Sequence, residues 1–196
     1  MKLVLATHNQ GKIDEARAIL AQSLPELEVV GYDGPEPVED GTSFLENAFI
    51  KARAAFEHTG LPSIADDSGI AVEILGGSPG IFTANWSGTR DNVANRQLLL
   101  AQLRDIAPEN RAAAFICTIA LVGPNGEASF TGIWTGSVAT EERGTNGHGY
   151  DPVFIPEGFE LTAAELEPEV KNAFSHRAQA LAQLAGFLMS KDLEDL

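Results

Sequence analysis

The first 31 residues constrain the fold most. A short apolar run, Lys2-Leu3-Val4-Leu5-Ala6, gives way to a polar hinge, Thr7 to Lys12. An amphipathic stretch follows to about Leu24, and a second apolar run covers Leu27 to Gly31. Strand, short polar turn, helix and strand in succession begin a βαβ unit, which commits the chain to parallel pairing in an α/β fold. The helical stretch presents Ile13, Ala16, Ile19 and Leu20 on one face, with Asp14 and Glu15 expected in its first turn. The opening residues are too short for a signal peptide and are read as the first strand.

The rest of the pattern is also mixed. Asp33 to Pro37 is a loop, and Ser43 with Glu46 forms a capping box for a helix faced by Leu45, Ala48, Phe49, Ala52 and Phe56. Ser63 to Ala65 and Ile70 to Ile74 read as short strands flanking a turn-like Asp66-Asp67-Ser68-Gly69. A helix is expected over Asn92 to Arg104. A hairpin is expected from Ala112 to Val122 and Glu127 to Val138, with Asn125-Gly126 at its turn. A last helix should run from Phe174 to Ser190. With no repeat, linker or low-complexity tract, residues 1–196 are taken as one domain.

Charge narrows the partners. Thirteen Lys and Arg against 28 Asp and Glu give a net charge of −15, which argues against a broad basic face for nucleic acid. A small anion needs only a few well-placed cations, and Lys12, Lys51, Lys171 and Arg177 each adjoin a polar, small-residue segment. Taken singly, each of these is better read as a solvated surface charge. No apolar run reaches the ~20 residues of a membrane span. The one cysteine, Cys117, allows no internal disulfide, suits a reducing cytoplasm, and lies in an apolar run as a packed thiol rather than a nucleophile.

Four clusters carry chemistry. Thr7-His8-Asn9-Gln10-Gly11-Lys12 sits between strand and helix, where backbone N–H groups, a glycine and a lysine can receive phosphate. Its spacing is not that of a Walker loop, and the same stretch serves as a plain strand-to-helix turn. Asp66-Asp67 places two carboxylates among apolar residues, which calls for a cation or hydrogen bonds, and a hard divalent ion such as Mg²⁺ prefers such oxygens. One carboxylate would bind the metal while it or its neighbour takes a proton from water, with Glu39 or Asp40 as a third acid. Gly147-His148-Gly149-Tyr150-Asp151-Pro152 admits a planar ligand, with Tyr150 as a stacking ring or a packing anchor. Lys171 precedes Ser175-His176-Arg177 at the start of the last helix, where these side chains can surround a ligand. Adjacency argues against a Ser-His nucleophile pair. Taken alone, His8 and His58 carry no assignment.

In order, Thr7-x-Asn9-x-Gly11-Lys12, Glu39-x-Gly41-x-Ser43-Phe44-x-Glu46-Asn47-Ala48, Asp66-Asp67-Ser68-Gly69, Gly149-Tyr150-Asp151-Pro152, and Ser175-His176-Arg177 with Lys171 upstream resemble the inosine triphosphate pyrophosphatase family. The resemblance runs from the first loop to the last helix. It implies an elongated α/β fold with two lobes around a central substrate cleft, a cytoplasmic homodimer, and Mg²⁺-dependent hydrolysis of ITP, dITP and XTP to monophosphate and pyrophosphate. By position it implies that Thr7, His8, Asn9, Gln10, Gly11 and Lys12 hold the triphosphate, with Lys51 or Lys171 assisting. Asp67 would be general base and metal ligand, Glu39 the second metal acid, and Ser68 a substrate contact. His148, Gly149, Tyr150, Asp151, Lys171, Ser175, His176 and Arg177 would bind the purine and its sugar-phosphate. Two positions depart from the family, which commonly carries Phe at His148 and Arg at Asn85; both bear on base preference. A non-catalytic nucleotide-binding regulator and a phosphatase releasing orthophosphate are the competing classes.

Overall fold

The computed structural model describes residues 2–190. Six strands form one mixed sheet in the order β2-β1-β3-β4-β5-β6. β1 (Lys2–Leu5) pairs in parallel with β2 (Glu28–Gly31) on one side and β3 (Ser63–Val72) on the other. β4 (Ala112–Gly123) and β5 (Gly126–Val138) follow, and β6 (Phe154–Pro156) closes the sheet antiparallel to β5. The helices are α1 (Gln10–Leu20), α2 (Phe44–Thr59), α3 (Asn92–Gln102), α4 (Pro168–Phe174) and α5 (His176–Ser190). No helix among the described residues is long and apolar enough to cross a membrane.

The chain divides into two compact units. Among the described residues, the first holds 2–67, Cys117–Gly132 and 177–190; the second holds Ser68–Ile116 and Ile133–His176. In the first, β1 is buried along Leu3, Val4 and Leu5, as expected of a parallel strand covered on both faces. Period-two alternation sorts its contacts. Leu3 and Leu5 pack with Ile13, Ala16 and Leu20 of α1 and Leu181, Leu184 and Leu188 of α5, whereas Val4 packs with Tyr32 and Ala55 of α2. On β3, Ile64 joins the α1 and α5 side, and Ala65 joins Ala48 and Ala52 of α2. In the second unit, Leu99 and Leu103 pack with Phe115, Trp134, Tyr150 and Phe154.

Several expectations are corrected. Asp66 to Gly69 is not a turn: β3 runs unbroken through it. The hairpin turn is Pro124-Asn125, and neither of these residues has positive φ, because Pro124 fixes φ near −65° and excludes the mirror-image turn. α1 starts at Gln10, which leaves its first turn without acids and puts Asp14 and Glu15 beyond it. Ser43 accepts from Glu46 N, but the Glu46 carboxylate turns chiefly to the N–H and hydroxyl of Thr42. Leu45 is exposed, and Asn47 takes a place on the buried face. The last helix runs from His176 to Ser190, close to its expected bounds, but a separate short helix, α4, precedes it and ends at Ser175, whose ψ of 154° is extended.

Candidate functional site

In the first unit the site forms where parallel strands end. Leu5 is the last residue of β1 and lies opposite Ile64, and Ala6 N donates to Ile64 O at 2.8 Å. β3 continues past that point, so Asp66 and Asp67 stand beside the loop that turns β1 into α1. This is the crevice at the carboxyl ends of strands where α/β sheets receive ligands. Asn9 caps α1, its Oδ1 accepting from Gly11 N at 2.9 Å and Lys12 N at 3.4 Å. Those two N–H groups are thus held by the cap of α1.

The two aspartates point to opposite sides of the strand. Asp66 shares the side of Ile64 and meets α1 and α5: Lys12 Nζ lies 3.0 Å from both its oxygens and Arg177 Nη2 lies 3.0 Å from Oδ2. Arg177 Nη1 also reaches Glu15 Oε2 at 3.3 Å. Burial alone would raise the Asp66 carboxyl, but the charges of Lys12, Arg177 and Lys51 outweigh it and hold it far below the usual carboxylate range. Cys117 lies buried in the cluster on this side, and burial pushes its thiol up to about 12, as befits a packed core thiol.

Asp67 shares the side of Ala65 and meets α2. Lys51 Nζ lies 3.1 Å from Asp67 Oδ1 and 3.0 Å from Glu39 Oε2, and Asn47 Nδ2 donates to Asp67 Oδ2 at 3.3 Å. Gly41 N donates to Asn47 Oδ1 at 2.9 Å, which fixes the amide so that its NH₂ faces Asp67. Burial, helped by the negative charge of Glu39, outweighs Lys51 and Asn47 and leaves the Asp67 carboxyl above its ordinary value. For Lys51 the balance is reversed: burial would lower it, but Asp67, Asp66 and Glu39 raise it. A hollow of about 560 Å³, open to solvent, is lined by Thr7, His8, Lys12, Glu39, Lys51 and Asp66 among others. His8 stacks on Tyr32 with centroids 5.9 Å apart, and its Nδ1 lies 3.1 Å from Glu36 Oε1.

Among the described residues, no group of three or more His, Cys, Asp or Glu side chains is gathered for a metal. Asp67 and Glu39 nonetheless fit Mg²⁺, which binds through one or two carboxylates and keeps several waters. Two carboxylates share the single ammonium of Lys51, so this side carries one uncompensated negative charge that a cation would balance.

The second unit holds the glycine-rich loop. Gly147 has φ +74°, and a Cβ there would lie 2.1 Å from Asp151 Oδ2 and 2.8 Å from Lys171 Nζ. Asp151 is 3% exposed; it accepts the His148 N–H at 2.7 Å and pairs with Lys171. Arg96 of α3 donates to Gly149 O at 2.9 Å and pairs with Glu142. The side chain of His148 is 75% exposed. Tyr150 resolves to the packing anchor: it is 3% exposed within the core, and its hydroxyl donates to Thr83 O at 3.0 Å. Ser175, His176 and Arg177 lie at the start of α5, each with a different partner. Ser175 is the buried residue at which α4 ends, and His176 stacks on Phe115 at 4.9 Å. Arg177 engages Asp66 and Glu15 in the first unit.

Sequence reasoning missed Glu15, Asn47 and Arg96. Asn47 had a signal, since it lies one turn before Lys51 on the same side of an otherwise apolar helix face. Arg96 had none.

The comparisons agree with this geometry. The dITP/XTP pyrophosphatase of Leifsonia xyli subsp. xyli is 55% identical over 190 residues, 96% of either chain. That of Frankia alni is 50% identical over 196 residues, 96% of this chain and 97% of the other. The solved structure of a HAM1 protein from Coxiella burnetii superposes with a TM-score of 0.90 at 39% identity, covering 97% of this chain and all of that one. A crystal structure described as a nucleoside-triphosphatase / dITP/XTP pyrophosphatase from Mycobacterium abscessus gives 0.79 at 48% identity, covering 94% and 98%. With the Ham1 family's sequence model matched over residues 3–187, the chain belongs to the Ham1 family.

Proposed function

We propose that this protein is a pyrophosphatase of non-canonical purine nucleoside triphosphates, dITP, XTP and ITP, which it cleaves to the monophosphate and pyrophosphate. One observation carries the chemistry: Asp67, raised by burial, stands on β3 just past the carboxyl end of the parallel strand β1, held by Lys51, which with Lys12 lines an open hollow. A carboxyl above its ordinary value is a better base than a solvated aspartate. The names of the relatives supply the substrate class.

In this reading Thr7 to Lys12, aided by Lys51, receive the triphosphate, and Ser68 contacts the substrate. Asp67 takes one proton from water as its oxygen bonds to the α-phosphorus. The bond from that phosphorus to the α–β bridging oxygen breaks, and pyrophosphate leaves with the electron pair. Asp67 and Glu39 would hold Mg²⁺, which when bound neutralises charge on the phosphate oxygens. Lys51 and Asn47 orient Asp67, each holding one of its oxygens. His148 and Gly149 present the accessible part of the purine-binding loop, which Asp151, Lys171 and Arg96 fix from beneath. His148, standing where the family commonly has Phe, supplies a flat ring for the base. The enzyme is assigned to the cytoplasm and to a homodimer.

Incubation with dITP and Mg²⁺ followed by product analysis tests the reading. Pyrophosphate and dIMP in equal amounts are expected, and Asp67→Asn should slow turnover at least ~10²-fold while the fold survives. Release of orthophosphate, or binding without turnover, would replace it with the phosphatase or the regulator.

A further inference from the structure

Asp66 has no task in that chemistry, yet it is among the most thoroughly engaged carboxylates of the first unit. It is 7% exposed, with both oxygens on Lys12 and one on Arg177. Lys12, Arg177, Asp66 and Glu15 form a set of two cations and two anions, so their charges cancel. A lysine that already holds a carboxylate at 3.0 Å cannot meet a phosphate with its full charge.

We propose that Asp66 is a built-in counter-anion for the phosphate site: it holds Lys12 in the free protein and yields it to an entering phosphate. This rests on the reading of Lys12 as a triphosphate residue. The two cations are placed unequally for such an exchange. Lys12 lines the open hollow, and its side chain is 27% exposed, whereas that of Arg177 is 10% exposed. Lys12 is the partner a phosphate can reach. Arg177 is the one that stays, so Asp66 is never left as an unpaired buried charge, an outcome that would otherwise forbid the exchange. Asp66 is thereby a positioning residue acting through Lys12. Its return to Lys12 after cleavage competes with pyrophosphate and favours product release.

The sign of the effect is diagnostic. Loss of a base, a metal ligand or a structural support weakens function, whereas loss of a competing anion strengthens phosphate binding. Inorganic tripolyphosphate should be titrated calorimetrically into the full-length protein in EDTA, which removes divalent cations from the comparison. Asp66→Asn should lower the tripolyphosphate Kd about tenfold, the scale of one charge-assisted hydrogen bond. The gain should vanish in the Lys12→Met background. Arg177→Gln should act oppositely and raise the Kd, because Asp66 then has only Lys12 to hold. If Asp66→Asn does not fold, Asp66→Asn with Arg177→Gln removes both charges of the buried pair and should bind more tightly than the wild-type protein. An unchanged or higher Kd in the Asp66 variants, a gain that survives Lys12→Met, or no binding of tripolyphosphate at all overturns the proposal. The dITP product assay separates it from the functional reading. A protein that shows the cycle but leaves dITP intact keeps the exchange and loses the pyrophosphatase; one that cleaves dITP while Asp66→Asn gains nothing does the reverse.

Discussion

Gly147 and Gly149 form a natural pair for measuring what holds the glycine-rich loop. Both have positive φ, +74° and +60°, so alanine at either meets the same backbone penalty of about 1–2 kcal/mol. Their surroundings differ. A Cβ on Gly149 meets nothing within 4 Å, whereas one on Gly147 would fall 2.1 Å from Asp151 Oδ2 and 2.8 Å from Lys171 Nζ. Accommodating it requires the Asp151–Lys171 pair to move, together with the His148 N–H that Asp151 accepts. With side chains 5% and 16% exposed the pair is buried, and breaking such a pair costs about 3–5 kcal/mol. Gly147→Ala should therefore destabilise by roughly 4–7 kcal/mol and Gly149→Ala by about 1–2. Urea unfolding of both variants, followed by circular dichroism, measures the difference. Adding Asp151→Asn with Lys171→Met should bring Gly147→Ala close to Gly149→Ala, since the displaced charges are then gone. Equal losses for the two glycines in the otherwise unaltered protein would refute the argument that the ion pair fixes the loop.

Other outcomes follow from the same geometry. Lys12→Ala should weaken ITP binding more than IMP binding, because the lysine faces the hollow assigned to the triphosphate; parallel calorimetry of the two ligands decides, and equal losses would remove Lys12 from the β- and γ-phosphates. Cys117, buried with its thiol pushed up to about 12, should resist Ellman's reagent at pH 8 in the native protein and react at once in guanidinium. Burial opposes the Asp66 carboxylate but Lys12, Arg177 and Lys51 outweigh it, so its folded value lies below the ordinary 3.8. Its stabilisation is complete above that value and is lost as pH falls beneath it, so acid unfolding curves of Asp66→Asn with Arg177→Gln should be flatter than the wild-type curve below about pH 4.

The opening βαβ unit and the apolar face of α1 were legible in the sequence because they rest on local periodicity, and the charged clusters because they rest on residue type. Three features were not. Asp-Asp-Ser-Gly has the composition of a turn, and only tertiary partners on α1, α2 and α5 make it affordable as a buried strand. The helix α4 is seven residues long and buries none of them, so it leaves no periodic apolar face to read. Asn125-Gly126 carries the signature of a mirror-image hairpin turn, but Pro124 shifts the turn back by one residue.

The adjacency of Asp66 and Asp67 was visible from the start and misleading for the same reason. Neighbours in a turn can share one ligand, and on that footing two carboxylates suggest a single acidic pocket. Neighbours in a strand cannot, because consecutive side chains leave by opposite faces. Once β3 runs through both residues, the pair separates into two charge environments. Asp66 completes a neutral set with Lys12, Arg177 and Glu15. Asp67 and Glu39 outnumber Lys51 and leave one negative charge. The first arrangement suits an exchangeable anion and the second suits a base that also receives a cation. Substituting the two aspartates singly should accordingly move phosphate binding in opposite directions when a divalent cation is supplied. Asp67→Asn should weaken metal-assisted binding of a triphosphate, and Asp66→Asn should strengthen it. A turn that gathered both carboxylates on one ion would make the two substitutions alike.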